Sequence, residues 1–449
     1  MPTQEVEEFL LAKMRESKLP SLAAAVVKGR EVVYARALGF RDLESGLPAT
    51  PGTIYGIGSI TKMFTALAVM QLRERGLVDL DDPLAKYGLG LTIAGEDVTI
   101  RHLLTHTSGV PALGYAEALI DGITGARDVW LPLATPEDVL AFMRGADSWA
   151  VDRPGRRMFY LNEGYVLLGK IIEAASGLSY WDYIKRNILA PLGMRRTYLL
   201  REEVERDGDV AAPYIMTRRG PLRSRIPFGI SSDGGLLSNA LDLSKFLATL
   251  INRGTLEQQI ISKESLEAME RAAASWNQQY LTGEDYAQYG LGVMSYKFFD
   301  VRVLGHSGSV GVYTAFLGYI PEEDIGVVLL ANSSGYPLAY MGLYTLAAAT
   351  GRDPNKLPFI RYEKTLKALE GVYETWKGAY RLYLVVRNWV PYIVERTRYG
   401  ATEIPLFPTA IADDEVVFTA IVGGRRLVVT ATLNPPTLLY ERYKLVKKS

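Results

Sequence analysis

Ser59 and Lys62 form the pattern Ser-x-x-Lys, which places a hydroxyl and an amine one helical turn apart on one face. The apolar residues that follow recur with helical spacing up to Gly76: Met63, Phe64, Leu67, Met70 and Leu72. A serine hydroxyl is a poor nucleophile because its proton must leave as the oxygen attacks, and an uncharged lysine can accept that proton. The ordinary pKa of lysine is about 10.4, so a catalytic Lys62 requires a pocket that lowers its pKa.

The same pattern also has an ordinary structural explanation, in which Ser59 caps a helix and Lys62 extends into solvent. A four-residue pattern is too short to separate the two explanations. Helix N-termini carry free N–H groups, so the predicted position of Ser59 would also favour a developing oxyanion. The choice therefore depends on what else the chain carries.

Two further short patterns contain candidate site residues. Tyr160 and Asn162 stand just before a predicted helix, where the tyrosine can pass a proton to a leaving group and the amide can hydrogen-bond Lys62 or a substrate carbonyl. His306 lies in residues 305–309, which are predicted to open a strand region, and it can supply a polar or cationic group there. Each pattern alone is equally typical of a core tyrosine, a helix cap and a solvated histidine.

Other chemistries fit the sequence less well. His102 and His106 are four residues apart but have no adjacent third ligand, so neither a metal nor another cofactor is predicted. Residues 56–62 lack the glycine before lysine that a phosphate-binding loop needs. Residues 305–309 do not form a Gly-x-Ser-x-Gly nucleophile elbow, because Ser309 replaces the last glycine and no helix follows.

The composition excludes several classes of protein. The 449 residues include 50 Lys+Arg and 50 Asp+Glu, so the charge balance gives no support to a nucleic-acid or membrane ligand. The absence of cysteine excludes disulfides and thiol nucleophiles. The acidic N-terminus lacks the apolar segment of a secretory signal, and no apolar run is long enough to span a bilayer, so we expect a cytoplasmic protein.

The strands and helices predicted around these residues indicate an α+β domain over residues 1–351. Residues 22–35 predict a hairpin, and residues 312–320 and 325–331 predict two later strands. Helices are predicted between these strands, so one largely antiparallel sheet flanked by helices is the simplest arrangement.

The C-terminal part has a different character. Residues 352–366 are polar and proline-containing, and are predicted to be a linker. Residues 367–449 contain six short alternating runs with a Gly-Gly turn, which predict a second, all-β domain in the form of a small up-and-down barrel.

The order and spacing of three patterns resemble the serine β-lactamase and penicillin-binding-protein-like superfamily: Ser59-x-x-Lys62, Tyr160-x-Asn162 and His306-x-Gly308. The stretches 102–109, 165–173 and 234–246 are similar as well, so the resemblance covers roughly residues 5–350. The barrel-like tail resembles the lipocalin-like domains of serine D-aminopeptidases and of CubicO-group archaeal peptidases. Class C β-lactamases have Lys-Thr-Gly as the third motif, so His-x-Gly argues against efficient β-lactam hydrolysis.

The resemblance implies acyl transfer through an ester on Ser59. We expect Lys62 to be the general base, Tyr160 to hand a proton to the leaving amine, and His306 to orient substrate or tune Tyr160. It also implies an oxyanion hole made by the backbone N–H groups of Ser59 and Ser309. The expected substrate-binding residues are Asn162, Gly308 and Ser309.

An S12-type peptidase is therefore the first expectation for function, and peptides containing D-residues are among its expected substrates. A carboxylesterase or weak β-lactamase of the same fold is the alternative, and a non-catalytic binding protein is an alternative of another class. The family resemblance favours a homo-oligomer. Residues 111–155 and 210–230 are expected to form pocket walls, with four arginines as candidates to bind a substrate carboxylate: Arg218, Arg219, Arg223 and Arg225.

Overall fold

The computed structural model describes residues 3–448 except 126, 128–130, 132, 134 and 280–285. The chain divides into two compact units between Arg352 and Asp353. The helices of the first unit are α1, Thr3–Ser17; α2, Thr61–Glu74; α3, Ile100–Leu104; α4, Tyr115–Thr124; α5, Pro136–Phe142; α6, Asn162–Ser176; α7, Tyr180–Ile184; α8, Arg201–Asp207; α9, Ala240–Ile251; α10, Lys263–Glu270; and α11, Leu338–Ala349.

The strands of the first unit form one large sheet and three short ribbons. They are β1, Ser21–Lys28; β2, Glu31–Asp42; β3, Leu47–Pro48; β4, Tyr55–Gly56; β5, Thr92–Ile93; β6, Glu96–Asp97; β7, Tyr214–Thr217; β8, Gly220–Arg223; β9, Leu237–Ser238; β10, Ala274–Gln279; β11, Tyr286–Tyr289; β12, Met294–Phe298; β13, Val301–Ser309; β14, Thr314–Ile320; and β15, Ile325–Ala331. The large sheet has the order β10-β11-β12-β13-β14-β15-β1-β2-β3, and the ribbons pair β4 with β9, β5 with β6, and β7 with β8.

The central strands are antiparallel and are covered by helices on both faces. Ala24 of β1 pairs with Arg36 of β2 and with Leu329 of β15. On β15, Gly326 packs against α9, whereas Leu329 packs against Gly342 of α11. Because successive strand residues point to opposite faces, α9 and α11 cover opposite sides of the sheet. The predicted α+β architecture with an antiparallel sheet is therefore confirmed.

Helix α2 is the centre of the helical part of this unit. Every residue from Thr61 to Leu72 is buried, including Lys62. Helices α6, α7 and α10 pack around it. A helix that is buried on all sides has little freedom to shift, so residues in its first turn have fixed positions.

The second unit contains one helix and an antiparallel barrel. The helix is α12, Pro358–Leu369, and the strands are β16, Gly371–Glu374; β17, Arg381–Arg387; β18, Val390–Thr397; β19, Gly400–Pro405; β20, Phe407–Ile411; β21, Glu415–Val422; β22, Arg425–Leu433; β23, Pro436–Tyr440; and β24, Tyr443–Lys447. Their order is β19-β18-β17-β16-β24-β23-β22-β21-β20. Only Leu406 separates the two edge strands along the chain, so the barrel is nearly closed. Its interior is filled by apolar side chains such as Leu384, Phe418 and Leu438.

The second unit confirms the predicted all-β barrel but differs from the sequence prediction in two details. Most of α12 lies within residues 352–366, where a linker is predicted, and its buried face contains Phe359, Ile360 and Tyr362. The barrel has nine strands where six runs are predicted. The three strands outside the predicted runs are β19, β20 and β24. Most side chains of β19 and β20 are exposed and lack a regular apolar alternation, and β24 has one buried residue, Leu445.

No helix among the described residues combines the length and the apolar character that a membrane crossing requires.

Candidate active site

The candidate nucleophile lies in a tight turn against the sheet. Ser59 is the middle residue of a 3-10 turn, Gly58–Ile60, that leads directly into α2. Gly58 has a φ of +53°, and a Cβ there would lie 2.5 Å from the backbone nitrogen of Ser309. A glycine is therefore required for both its backbone conformation and its contact with β13. The predicted helix N-terminus is correct, with one 3-10 turn before the α-helix.

Lys62 lies one turn after Ser59 and has no exposed side-chain surface. Its Nζ donates hydrogen bonds to Ser59 Oγ at 3.2 Å, to Asn162 Oδ1 at 2.8 Å and to the backbone oxygen of Asp233 at 2.6 Å. These three acceptors match the three N–H groups of a charged ammonium. The structure thus brings Ser59, Lys62 and Asn162 together, and a solvated Lys62 is excluded.

Burial changes the protonation of Lys62. Loss of water lowers its pKa from 10.5 to about 8, because the charged form is disfavoured in a buried site, and negative charges on Asp233, Glu163 and Glu117 oppose this change. At this pKa about one lysine in ten is uncharged at pH 7. Lys62 can therefore act as a proton acceptor near neutral pH, as the sequence hypothesis requires.

Tyr160 packs within a group of aromatic side chains beside Lys62. The Lys62 Nζ lies 4.8 Å from the centre of the Tyr160 ring. The ring centres of His106 and Trp276 lie 4.2 Å and 5.1 Å from that of Tyr160. Among the described residues, the buried hydroxyl of Tyr160 has no hydrogen-bond partner of normal geometry.

The Tyr160 hydroxyl is protonated at neutral pH. Burial raises its pKa well above 10, and the neighbouring Ser59 hydroxyl opposes this shift. A neutral hydroxyl can donate a proton or a hydrogen bond, so this state suits an acid rather than a base.

His306 differs from its prediction in two respects. The motif ends strand β13 rather than opening a strand region, and His306 is 2 % exposed. Its Nδ1 donates to the Ser307 carbonyl at 2.5 Å, and its Nε2 accepts from the Tyr289 hydroxyl at 2.9 Å. Burial lowers its pKa to about 3. His306 is therefore a neutral imidazole and not the cationic group considered from the sequence.

The ring of His306 lies beside that of Tyr160, with the ring centres 6.2 Å apart. The predicted role of His306, to orient substrate or to tune Tyr160, stays a prediction.

Gly308 and Ser309 bring the end of β13 against the nucleophile turn. A Cβ at Gly308 would lie 1.9 Å from the Ile57 carbonyl oxygen and 3.3 Å from the Ser59 nitrogen. The backbone nitrogens of Ser59 and Ser309 are therefore neighbours, as an oxyanion hole from these two groups requires. That role stays a prediction.

The sequence analysis did not identify three polar residues that lie near Lys62. The Tyr115 hydroxyl donates to Asp233 Oδ2 at 2.5 Å, and the Tyr115 backbone N–H donates to Glu163 Oε1 at 3.2 Å. Asp233 and Glu163 are 2 % and 1 % exposed. The available sequence signal was Glu163 itself, a carboxylate between Asn162 and the apolar run of residues 164–169.

His106 was considered from the sequence only as a metal ligand, but in the structure it packs beside Tyr160. It has a positive φ of +58°, and its Nδ1 accepts a hydrogen bond at 3.0 Å from the Leu161 N–H, next to Tyr160. His102 instead takes part in the cap of α3, where its Nδ1 accepts from the Thr99 N–H. The two histidines therefore have separate structural partners.

The basic residues considered for carboxylate binding lie on or next to the exposed β7–β8 ribbon. Arg223 is bound to Asp42 and Glu44, with 3.0 Å between charged atoms in each pair. This pairing gives no support to a substrate-binding role for Arg223. Part of the other expected pocket wall, residues 111–155, falls on residues outside those described, and the rest includes α4 and α5.

Comparisons with known proteins agree with this geometry. Residues 6–351 match the family model described as Beta-lactamase, and residues 354–446 match the model described as Pab87 octamerisation domain. Penicillin-binding protein 4* of Bacillus subtilis (strain 168) is 27 % identical over 372 residues, covering 79 % of this chain and 78 % of that protein.

Two solved structures are also similar. The octameric penicillin-binding protein homologue from Pyrococcus abyssi is 47 % identical, with a TM-score of 0.94 over 100 % of both chains. A D-stereospecific amidohydrolase from Streptomyces sp. is 25 % identical, with a TM-score of 0.58 over 73 % of this chain and 93 % of that chain. The comparisons thus find the same family as the motifs at residues 59–62, 160–162 and 306–308.

Proposed function

Since this chain belongs to the beta-lactamase family, we propose that it is a serine peptidase that cleaves peptides through an ester on Ser59. The observation that carries the proposal is the buried Lys62, whose Nζ lies 3.2 Å from Ser59 Oγ and whose pKa is lowered to about 8. A solvated lysine near a capping serine would have neither property. The pair has both the contact and the proton affinity that serine activation needs.

The proposed reaction begins with uncharged Lys62. Ser59 Oγ attacks the substrate carbonyl while its proton passes to Lys62 Nζ, and the resulting oxyanion is bound by the backbone N–H groups of Ser59 and Ser309. Tyr160 donates its proton to the leaving amine and recovers one from the Lys62 ammonium. Water then hydrolyses the ester and restores Ser59. Asn162 holds the amide of the substrate and orients Lys62.

Intact-mass measurement after exposure to a fluorophosphonate tests the nucleophile. We expect one adduct per chain in the native protein and none in Ser59→Ala. Ser148→Ala is a matched control, because Ser148 lies in an exposed turn and its hydroxyl donates to the Gly145 carbonyl of the same turn. Failure of the native protein to form any adduct would favour the non-catalytic binding protein instead.

Peptides with D-residues are the proposed preferred substrates, and the similarity to a D-stereospecific amidohydrolase supports this choice. Matched peptide amides of L and D configuration, together with the corresponding esters, separate the alternatives. Faster turnover of the D amide is expected. Cleavage of esters but of no amide would identify a carboxylesterase, and turnover of penicillins alone would identify a weak β-lactamase.

We also propose that the barrel assembles the protein into a homo-octamer, since residues 354–446 match an octamerisation domain and a 47 % identical relative is octameric. Three apolar residues on adjacent strands of the barrel wall are exposed by about half or more of their surface: Ile421 at 70 %, Val428 at 59 % and Leu439 at 49 %. Residues beside them along the strands, Ala420, Val429 and Leu438, fill the interior. An exposed apolar strip of this kind is typical of a protein interface.

A further inference from the structure

Lys62 shares its buried site with two carboxylates that the proposed reaction does not use. Asp233 reaches Lys62 through its backbone oxygen, while its carboxylate accepts a hydrogen bond from the Tyr115 hydroxyl. Glu163 follows Asn162 at the start of α6, and Asn162 itself holds Lys62. Tyr115 contacts both acids, the first through its hydroxyl and the second through its backbone N–H. One residue thus links two buried carboxylates behind the catalytic lysine.

Glu163 is the less satisfied of the two acids. It is 1 % exposed, and its Oε1 accepts from the Tyr115 N–H at 3.2 Å. Its Oε2 is buried and has no hydrogen-bond partner among the described residues. A buried carboxylate oxygen without a partner is costly, so packing alone does not account for Glu163.

We propose that Glu163 is a positioning residue that sets the proton affinity of Lys62, an inference that rests on the proposed acylation of Ser59. The carboxylate acts through its negative charge on the Lys62 ammonium, and the Tyr115 N–H holds it in place. Asp233 acts in the same direction from the other side of Tyr115. Glu163 touches neither Ser59 nor the substrate.

The proton affinities of the two groups support this coupling. Burial raises the pKa of Glu163 to about 7, and burial lowers that of Lys62 to about 8. Two interacting groups that titrate so close together respond to each other over the neutral range. An ionised Glu163 favours the ammonium form of Lys62, and a protonated Glu163 favours the uncharged form that accepts the serine proton.

The titratable groups around Lys62 come from every element packed against it. They are Tyr115 and Glu117 on α4, Asp233 in the loop before β9, Tyr160 and Tyr165 at the start of α6, His106 after α3 and His306 on β13. The pKa values of the histidines are lowered and those of the tyrosines are raised, so these groups stay neutral near pH 7. The three acids are therefore the groups whose charge can act on Lys62 there.

The pH dependence of Ser59 acylation tests the proposal. The rate constant of fluorophosphonate adduct formation is measured between pH 5 and 10 for the native protein and for Glu163→Gln, which keeps the shape and removes the charge. We expect the midpoint for Lys62 to move to lower pH by about one unit in Glu163→Gln. Glu163→Asp retains the charge, so we expect the midpoint of its pH dependence to equal that of the native protein.

Glu117→Gln is the matched control, because Glu117 lies in an exposed position on α4 and its charge is screened by water. Its midpoint is expected to move much less than that of Glu163→Gln. If Glu163→Gln does not fold, Glu163→Ala replaces it, because it also removes the charge and the midpoint is again expected to fall.

The outcomes separate this inference from the proposed function. A native protein without any adduct refutes the proposed function. A native adduct with an unchanged midpoint in Glu163→Gln, whatever its maximal rate, refutes the inference alone, because a purely structural role lowers the rate without moving the midpoint. Equal shifts in Glu163→Gln and Glu117→Gln also overturn it, since they would show a general charge effect.

Discussion

Replacement of Gly308 by alanine tests whether close contact between β13 and the nucleophile turn is needed for activity. The added methyl would lie 1.9 Å from the Ile57 carbonyl oxygen, whereas an ordinary contact begins at 3.4 Å. Its other near neighbours, Ile57 C and Ser59 N, are also backbone atoms, so no side chain can rotate away. The strand and the turn must therefore separate by about 1.5 Å, and the Ser59 and Ser309 nitrogens move apart with them.

The expected cost of this separation is large for catalysis and moderate for stability. A misplacement of about 1 Å in a preorganised site can cost about 100-fold in rate, which equals about 2.7 kcal/mol of activation free energy. Overpacking typically costs about 1–3 kcal/mol of folding free energy. Gly308→Ala should thus remain folded while its acylation rate falls at least 100-fold.

The assay is the rate of Ser59 adduct formation, measured beside thermal unfolding. Gly90→Ala is the matched control, because a methyl at Gly90 meets no atom within 4 Å and no unusual φ is required there. Native-like acylation by folded Gly308→Ala would refute the reasoning that these two backbone segments form one preorganised site. A loss of rate that follows only the unfolded fraction would refute it as well.

Four further outcomes are expected. The acylation rate of the native protein should rise with pH through a midpoint near 8, because Lys62 must lose its proton first. Asn162→Asp places a negative charge 2.8 Å from Lys62 Nζ and should move that midpoint to higher pH in the same assay. Tyr160→Phe should reduce amide turnover by several orders of magnitude but spare esters with good leaving groups, as measured by steady-state kinetics. Val428→Lys, at a 59 % exposed position, should lower the mass seen by light scattering without unfolding the barrel, as checked by circular dichroism.

The sequence predicted the parts of the site that are encoded locally. Ser59 lies in the 3-10 turn that leads directly into α2 and Lys62 lies in the first turn of α2, so their spacing alone determines that they can meet. Tyr160 and Asn162 flank a helix start that its apolar pattern identifies. The barrel was predictable for the same reason, because its inward residues alternate along β21 and β22.

The acids behind Lys62 could not be predicted in this way. Asp233 is 171 residues from Lys62 along the chain, and it acts on the lysine through a backbone oxygen that carries no residue-type signal. Glu163 lies in a helix whose other inward residues are apolar, and its burial, on which the proposed role depends, cannot be read from its spacing. His306 was assigned a possible cationic role from its type, whereas its charge is decided by burial, which lowers its pKa against the opposing hydrogen bond to the Ser307 carbonyl.

The contacts of Lys62 explain how burial and reactivity can coexist. Three acceptors surround Lys62 Nζ, so the site fits the ammonium that would exist after transfer of the serine proton. Burial has the opposite effect, because it favours the uncharged amine that would exist before the transfer. Interactions that are stronger after proton transfer than before it lower the barrier rather than only binding the ground state. Complete burial without nearby carboxylates would lower the pKa of Lys62 further and weaken Lys62 as a base. More negative charge nearby would raise that pKa and keep Lys62 protonated. The value near 8 is the balance of these two effects, and the proposed role of Glu163 is to shift that balance.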